Sequence, residues 1–234
     1  MVSEISNILR TLKKRGLLFA WDYFSQSIWF DLRNGTSTAA RVAKDQQTIH
    51  SNSSERENGV LYVASFTCVT TRTVAVAGDI LGPHRMRVAQ FMDLGCGKGK
   101  ALLVYALYFG ADVEYPALGI EYDSILANQA RANVVKVPFT KGRVDVITDS
   151  ATNIRSHLKS KLAIIYLYNP FHGETLRATL LALQGLPHVL IYVDPIERKM
   201  LIDFGYCVVA EQQGRYNADT WLVARSADLE QAVV

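Results

Sequence analysis

The sequence has little cysteine, no long apolar run and no strong excess of either charge. Its three cysteines are far apart, and none belongs to a C-x-x-C pair or to a cysteine–histidine metal spacing: Cys68, Cys96 and Cys207. A disulfide framework and a metal site are therefore not expected, and the cysteine usage is typical of a cytoplasmic protein with reduced thiols.

Membrane insertion and secretion are not expected either. The longest apolar run covers residues 101–111, about half of the roughly 20 residues that a membrane-spanning helix needs. Glu4 and the basic residues 13–15 interrupt the start of the chain, unlike the apolar segment of a signal peptide.

The net charge is small and unevenly distributed. The chain holds 25 Lys and Arg against 22 Asp and Glu, a formal charge of +3, which is too weak to predict a nucleic-acid partner. Residues 1–87 have 11 basic and 7 acidic residues, whereas residues 88–234 have 14 and 15. With 49% hydrophobic residues, the chain is expected to form a folded core.

The hydrophobic pattern divides the chain near residue 88. Residues 1–87 are expected to form a helical extension that caps the substrate, with a helix at 3–15 and a polar loop at 45–59. Residues 60–80, rich in Val and Thr, receive no assignment. From residue 88 strands alternate with helices, which predicts an α/β core over 88–234 with a mostly parallel sheet and helices on both faces. Strands are predicted at 88–94, 116–121, 143–148, 162–168, 188–193, 206–211 and 220–225, and helices at 99–110, 123–135, 151–159, 174–184 and 196–204.

A glycine-rich turn follows the first predicted strand. The segment Asp93-Leu-Gly-Cys-Gly-Lys-Gly99 leads directly into an apolar helix, so that a ligand can approach its backbone closely. A dinucleotide-binding turn would need glycine at position 100, where Lys100 stands. Asp93 would repel a pyrophosphate, but it suits a ligand that carries an ammonium group and no phosphate, such as S-adenosylmethionine (SAM).

Acidic residues close the next two predicted strands. Glu121 ends the second strand, where nucleotide-binding folds place an acid that accepts hydrogen bonds from ribose hydroxyls. Asp149 ends the third strand. Together with Ser150 it is a candidate to read the edge of an adenine or to cap the following helix.

The turn after the fourth predicted strand has the sequence Tyr168-Asn-Pro-Phe-His172. Pro170 stiffens the turn, and the Asn169 carbonyl is a candidate to accept a hydrogen bond from an amine and aim its lone pair at a methyl group. Tyr168 and Phe171 are candidates to pack on a flat substrate or beside a sulfonium. A plain strand-to-helix turn, with Asn169 as a cap, is the alternative, and His172 is not assigned as a base.

In order and spacing, these motifs resemble the signature of class I SAM-dependent methyltransferases. The resemblance covers about residues 88–226. It implies SAM as the cofactor and a Rossmann-like, seven-stranded sheet of order 3-2-1-4-5-7-6, preceded here by the N-terminal helical extension. Together with residues 30–38, the Tyr-Asn-Pro-Phe turn resembles a little-characterised bacterial branch of the family.

The resemblance also implies roles for individual residues. The glycines would adjoin the methionine part of SAM, Asp93 its ammonium group and Glu121 its ribose, while Tyr122 would flank the adenine ring. The residues expected to bind the cofactor are Asp93, Gly95, Cys96, Gly97, Gly99, Glu121, Tyr122, Asp149, Ser150 and Asn169. The residues expected to bind the acceptor are Tyr62, Tyr168, Pro170, Phe171 and His172, with Asn169 as the candidate catalytic residue.

The activity implied is in-line transfer of a methyl group from SAM. An amine nitrogen of a small molecule, or of a peptide or protein side chain, is the favoured acceptor because no general base stands out. The alternatives are O-methylation of a small metabolite, a non-catalytic SAM-binding protein and, more remotely, an NAD-dependent oxidoreductase. The N-terminal aromatic stripe is interpreted first as a packing face and second as an oligomer or membrane-surface contact: Phe19, Trp21, Phe24 and Trp29.

Overall fold

The computed structural model describes residues 16–40, 59–60 and 62–231. It begins with a helical segment over residues 16–34, which contains a π-helical turn at Phe24–Ile28 and ends as helix α1 (Trp29–Asn34). The predicted helix at 3–15 lies outside the described residues, as does the predicted loop at 45–59 apart from Gly59.

A long helical segment, α2 (Thr67–Val88), is kinked at Gly82, which has a φ of 72° and precedes Pro83, and leads into a regular alternation of strands and helices. The strands are β1 (Gln90–Leu94), β2 (Ala117–Glu121), β3 (Val144–Thr148), β4 (Ala163–Tyr168), β5 (His188–Val193), β6 (Cys207–Gln212) and β7 (Trp221–Arg225). The helices are α3 (Lys100–Tyr108), α4 (Ser124–Lys136), α5 (Ile154–His157), α6 (Gly173–Leu183), α7 (Arg198–Asp203) and α8 (Ala227–Gln231).

The strands form one sheet in the order β3-β2-β1-β4-β5-β7-β6. Strands β1 to β5 pair in parallel, whereas β7 runs antiparallel to both β5 and β6. This is the Rossmann-like fold of class I methyltransferases, and the prediction of the strand order is confirmed. The carboxyl ends of β1, β2 and β4 consequently meet at one edge of the sheet, where this architecture binds ligands.

Both faces of the central strands are buried, which is why these strands are apolar throughout rather than alternating. On one face Phe91 and Tyr166 pack with α2 and α3, and the rings of Phe91 and Tyr105 stack with centroids 4.2 Å apart. On the other face Met92 and Ile165 pack with α6. A rigid, two-sided core therefore holds the ligand-binding edge in place.

The main difference from the sequence predictions is α2, which occupies most of the unassigned Val- and Thr-rich stretch. Its buried face includes Val69, Val74 and Ala77, which join the same apolar cluster as the strands. The helix extends to Val88, so β1 begins two residues later than predicted. The helix predicted at 151–159 is a 3-10 turn (Ala151–Asn153) followed by the short α5.

The N-terminal aromatic stripe divides into buried and exposed members. Phe19 is buried and meets the ring of Tyr216 edge-on at 4.7 Å, so the packing interpretation holds for this residue. Trp21 and Trp29 are instead 66% and 55% exposed, which contradicts a packing role for them within the described part of the chain. Among the described residues, no helix is long and apolar enough to cross a membrane.

Candidate active site

A solvent-open cavity lies at the carboxyl ends of β1, β2 and β4. It brings together the glycine-rich turn, the acid after β2, the turn after β4 and the segment that precedes α2. Its lining consists of Val60, Tyr62, Val63, Ser65, Asp93, Gly95, Cys96, Gly97, Lys100, Ala101, Ile120, Glu121, Tyr122, Leu126, Ala151, Tyr168, Asn169, Pro170, Phe171 and Thr175. Most of the residues predicted to bind cofactor or acceptor are among them.

The glycine-rich turn is enclosed by two other segments at van der Waals distance. Gly95 and Gly97 both have positive φ, 75° and 53°. A Cβ on Gly95 would lie 2.3 Å from Cβ of Pro170, and a Cβ on Gly97 would lie 2.2 Å from the ring of Tyr62. The glycines are therefore required both by the backbone conformation and by the close approach of these neighbours.

Asp93 and Glu121 give the cavity two buried carboxyl groups. Asp93 is 4% exposed, and burial together with the nearby Glu121 raises its pKa well above the ordinary range. No hydrogen-bond donor among the described residues reaches the Asp93 side chain. A buried carboxyl group without a partner favours a cationic ligand, because a cation would restore its ionised form.

Glu121 is held by the backbone of the glycine-rich turn. Its Oε2 accepts a hydrogen bond from Gly97 N at 2.8 Å, and its Oε1 accepts one from Asp123 N at 3.0 Å. Burial raises the pKa of Glu121 to about 7, although both backbone hydrogen bonds lower it. Each carboxyl oxygen can accept a second hydrogen bond, so the residue can still receive a pair of hydroxyl groups.

Asn169 follows β4 in a left-handed backbone conformation, with φ of 36°. Its Nδ2 donates to Oδ2 of Asp194 at 3.0 Å. Its Oδ1 is buried, and no described residue donates a hydrogen bond to it. Asn169 lines the cavity, and its amide carbonyl oxygen is thus a buried acceptor to which no described residue donates.

The segment before α2 contributes Val60, Tyr62, Val63 and Ser65 to the cavity lining, and hydrogen bonds hold its first residues in place. Val60 N donates to the carbonyl oxygen of Pro170 at 3.1 Å, and Gly59 pairs with Phe171. The hydroxyl of Tyr62 donates to the carbonyl oxygen of Thr38 at 2.7 Å, and burial raises its pKa well above the ordinary value. Tyr62 thus lies in the cavity lining against Gly97, and its predicted contact with the acceptor stays a prediction.

The two lysines of the glycine-rich turn point toward the N-terminal segment. Lys98 Nζ donates to the carbonyl oxygen of Ala40. Lys100 Nζ donates to the carbonyl oxygen of Gln26 at 3.1 Å and lies 3.5 Å from the ring centroid of Phe30. Sequence reasoning assigned no role to these lysines, since nothing local indicates which segment would return to meet them.

Several predicted residues lie outside the lining or have another local role. Ser150 Oγ accepts a hydrogen bond from Thr152 N and caps the 3-10 turn, while Asp149 bonds to His157 at 2.6 Å. Burial raises the pKa of Asp149, but the bonds from His157, Asn153 and Ser150 outweigh it and the net pKa is lowered. The capping alternative is thus realised for Ser150, and recognition of adenine by this pair stays a prediction. Gly99 and His172 also lie outside the lining.

No protein-family model matches the chain, and no curated protein matches it. Solved structures do resemble it. The magnesium protoporphyrin IX methyltransferase of Synechocystis PCC 6803 with bound SAM is 17% identical, with 88% of this chain and 94% of that one aligned and a TM-score of 0.49.

Two further solved structures share 14% identity with the chain. The methyltransferase domain of bacterial CtHen1 aligns over 68% of this chain and 97% of that one, with a TM-score of 0.49. An rRNA methylase from Streptococcus thermophilus aligns over 66% and 96%, with a TM-score of 0.45. The strand order described above, rather than these likenesses, establishes the fold.

Asp194 is not among the cavity-lining residues, but it accepts a hydrogen bond from Asn169, which is, and sequence reasoning missed this contact. A signal for it exists: Val193-Asp-Pro195 at the end of β5 repeats the pattern of Tyr168-Asn-Pro170 at the end of β4. Because β4 and β5 are neighbours in the sheet, both motifs reach the same edge.

Proposed function

We propose that the chain is a SAM-dependent methyltransferase that acts on an amine nitrogen. The observation that carries this proposal is the buried Asp93 carboxyl group, which faces the cavity without a donor from the described residues. The ammonium group of SAM would supply the missing positive charge. A dinucleotide would instead bring a pyrophosphate toward two buried acids, which is electrostatically unfavourable.

The other residues of the cavity fit the remaining parts of SAM. Glu121 has spare acceptor capacity for two ribose hydroxyls, and Tyr122 offers an aromatic surface beside it. The glycine-rich turn exposes backbone at which the methionine part can lie. When bound, SAM supplies a methyl group that its sulfonium has already activated, so the protein mainly contributes alignment and exclusion of water.

Asn169 supports an amine acceptor. Its unpartnered Oδ1 can accept one N–H of an amine, which leaves the nitrogen lone pair free to point at the methyl group. A neutral amine needs no general base for this, whereas a hydroxyl gains more from one. Small molecules and side chains of peptides or proteins are the acceptor classes that we propose.

Calorimetric titration of the purified protein with S-adenosylhomocysteine (SAH), the demethylated product, and with NADH tests the cofactor. We expect SAH to bind and NADH not to bind. Asp93→Asn should weaken SAH binding by roughly 10-fold or more, because a charged hydrogen bond is worth about 1.5–3 kcal/mol. Asp203→Asn, an exposed residue on α7, is the matched control and should leave binding unchanged.

Radiolabelled SAM incubated with separate metabolite, protein and RNA fractions tests the acceptor. Label that appears in an amine-bearing product, and is lost in Asn169→Gly, would support the proposal. Tighter binding of NADH than of SAH would contradict the cofactor. SAH binding without labelling of any fraction would indicate a non-catalytic protein.

A further inference from the structure

Asn169 and Asp194 occupy equivalent positions at the ends of two neighbouring strands. Tyr168 and Val193, the residues before them, are paired in the parallel register of β4 and β5. A proline follows each of them, and both have left-handed backbone conformations, with φ of 36° and 52°. They are the non-glycine residues of the described chain with positive φ. Such strained conformations occur preferentially at functional sites.

The hydrogen bond between the two side chains can have only one direction. The amide nitrogen of Asn169 donates to Oδ2 of Asp194 at 3.0 Å, because an amide oxygen has no hydrogen to donate and a carboxylate oxygen accepts. The carbonyl oxygen Oδ1 is then the other polar atom of the amide. It is buried, and no described residue donates a hydrogen bond to it. Without Asp194, the amide could rotate by half a turn and present its NH₂ group instead.

We propose that Asp194 is the positioning residue that fixes the Asn169 carbonyl toward the ligand, and that it thereby selects an acceptor that donates an N–H. This inference rests on the proposed function. Asp194 also makes two backbone hydrogen bonds, its N–H to Thr220 O and its carbonyl from Ile196 N. Since neither involves the side chain, a substitution at position 194 leaves both in place.

Sinefungin, a SAM analogue with an amine in place of the transferable methyl group, tests the inference without any acceptor. Calorimetry would compare its dissociation constant with that of SAH, which has nothing at this position. We expect the wild type to prefer sinefungin about tenfold or more, since the amine gains a charge-assisted hydrogen bond to Asn169. Asp194→Gly, which tolerates positive φ, should bring this preference close to one and change SAH binding less than about twofold.

Asp194→Asn is the conservative variant. Its amide oxygen can still accept from Asn169, and asparagine tolerates φ of 52°, so we expect about a threefold loss of the preference for sinefungin. This variant also keeps the inference testable if Asp194→Gly fails to fold. Asp203→Asn on α7 should keep the full preference.

A double-substitution cycle distinguishes a positioning role of Asp194 from a purely structural one. Asn169→Gly should abolish the preference, and adding Asp194→Gly in that background should change it no further, because Asp194 acts through Asn169. An unchanged preference in both Asp194 variants, with loss in Asn169→Gly, would overturn the role of Asp194 and leave the proposed function standing. Failure of the wild type to bind either SAH or sinefungin would overturn both.

Discussion

Glu121 is a buried acid whose ionisation opposes folding, and this has a measurable consequence. Burial raises its pKa to about 7 from an ordinary value of 4.5, despite the hydrogen bonds from Asp123 N and Gly97 N. Between these two pH values the folded protein binds more protons than the unfolded chain. The free energy of unfolding contributed by this group therefore falls as the pH rises from about 4.5 through about 7.

The two pKa values set the size of the effect. They correspond to a loss of about 2.5 kcal/mol between pH 5 and pH 8, at 1.36 kcal/mol for each pH unit of difference. Glu121→Gln removes the titrating group and with it this loss. The amide also leaves one of the two N–H groups without an acceptor, which costs about 1–3 kcal/mol at every pH. The prediction accordingly concerns the change with pH and not the absolute stability.

Urea unfolding of both proteins, followed by circular dichroism from pH 5 to pH 8, gives the two curves. The wild type should lose about 2.5 kcal/mol relative to Glu121→Gln over this range. Groups that do not interact with Glu121 cancel in the difference, including His188, whose pKa burial lowers to about 4. Asp93 does not cancel fully, because the nearby Glu121 contributes to its raised pKa. Asp203→Asn should parallel the wild type. Parallel curves for the wild type and Glu121→Gln would refute the reasoning.

Two further substitutions test the close packing at Gly97 and the lowered pKa of Lys100. Gly97→Ala is expected to abolish SAH binding in calorimetry, because its Cβ would lie 2.2 Å from the ring of Tyr62. The control Gly78→Ala, whose Cβ would have no neighbour closer than 3.9 Å, should bind SAH normally. Normal binding by both variants would contradict the contact between Gly97 and Tyr62. Lys100→Met is expected to be more stable than the wild type at pH 7 in urea unfolding, because burial lowers the Lys100 pKa from 10.5 to about 7. The folded state then binds fewer protons than the unfolded chain between those values, so the advantage should shrink by about 3.5 kcal/mol by pH 10. A constant advantage would count against the shift.

Much of the candidate site was predictable from the sequence because its residues stand at the ends of parallel strands. Asp93, Glu121 and Asn169 are each found by locating a strand and reading the residue at or near its carboxyl end. In a parallel sheet these ends share one edge, so position along the chain is enough to bring them together. In the structure all three residues line one cavity.

Helix α2 could not be predicted from local pattern. Its first half is rich in Val and Thr, which favour strands because their branched side chains restrict helical rotamers. Burial of Val69, Val74 and Ala77 against the sheet outweighs that preference. The contacts of Lys98 and Lys100 could not be predicted either, since their partners lie 58 and 74 positions earlier in the chain.

The sequence by itself determined the alternation of strands and helices from residue 88 onward, the conformationally permissive glycines and the acids at the strand ends. These follow from local periodicity and from residue chemistry, which act over a few neighbours. Only the tertiary structure decided that Tyr62 lies on Gly97 and that Asp194 holds the amide of Asn169. Both contacts join segments more than 20 residues apart, and their geometry is set by the pairing of β4 with β5 and by the return of the chain over the sheet edge.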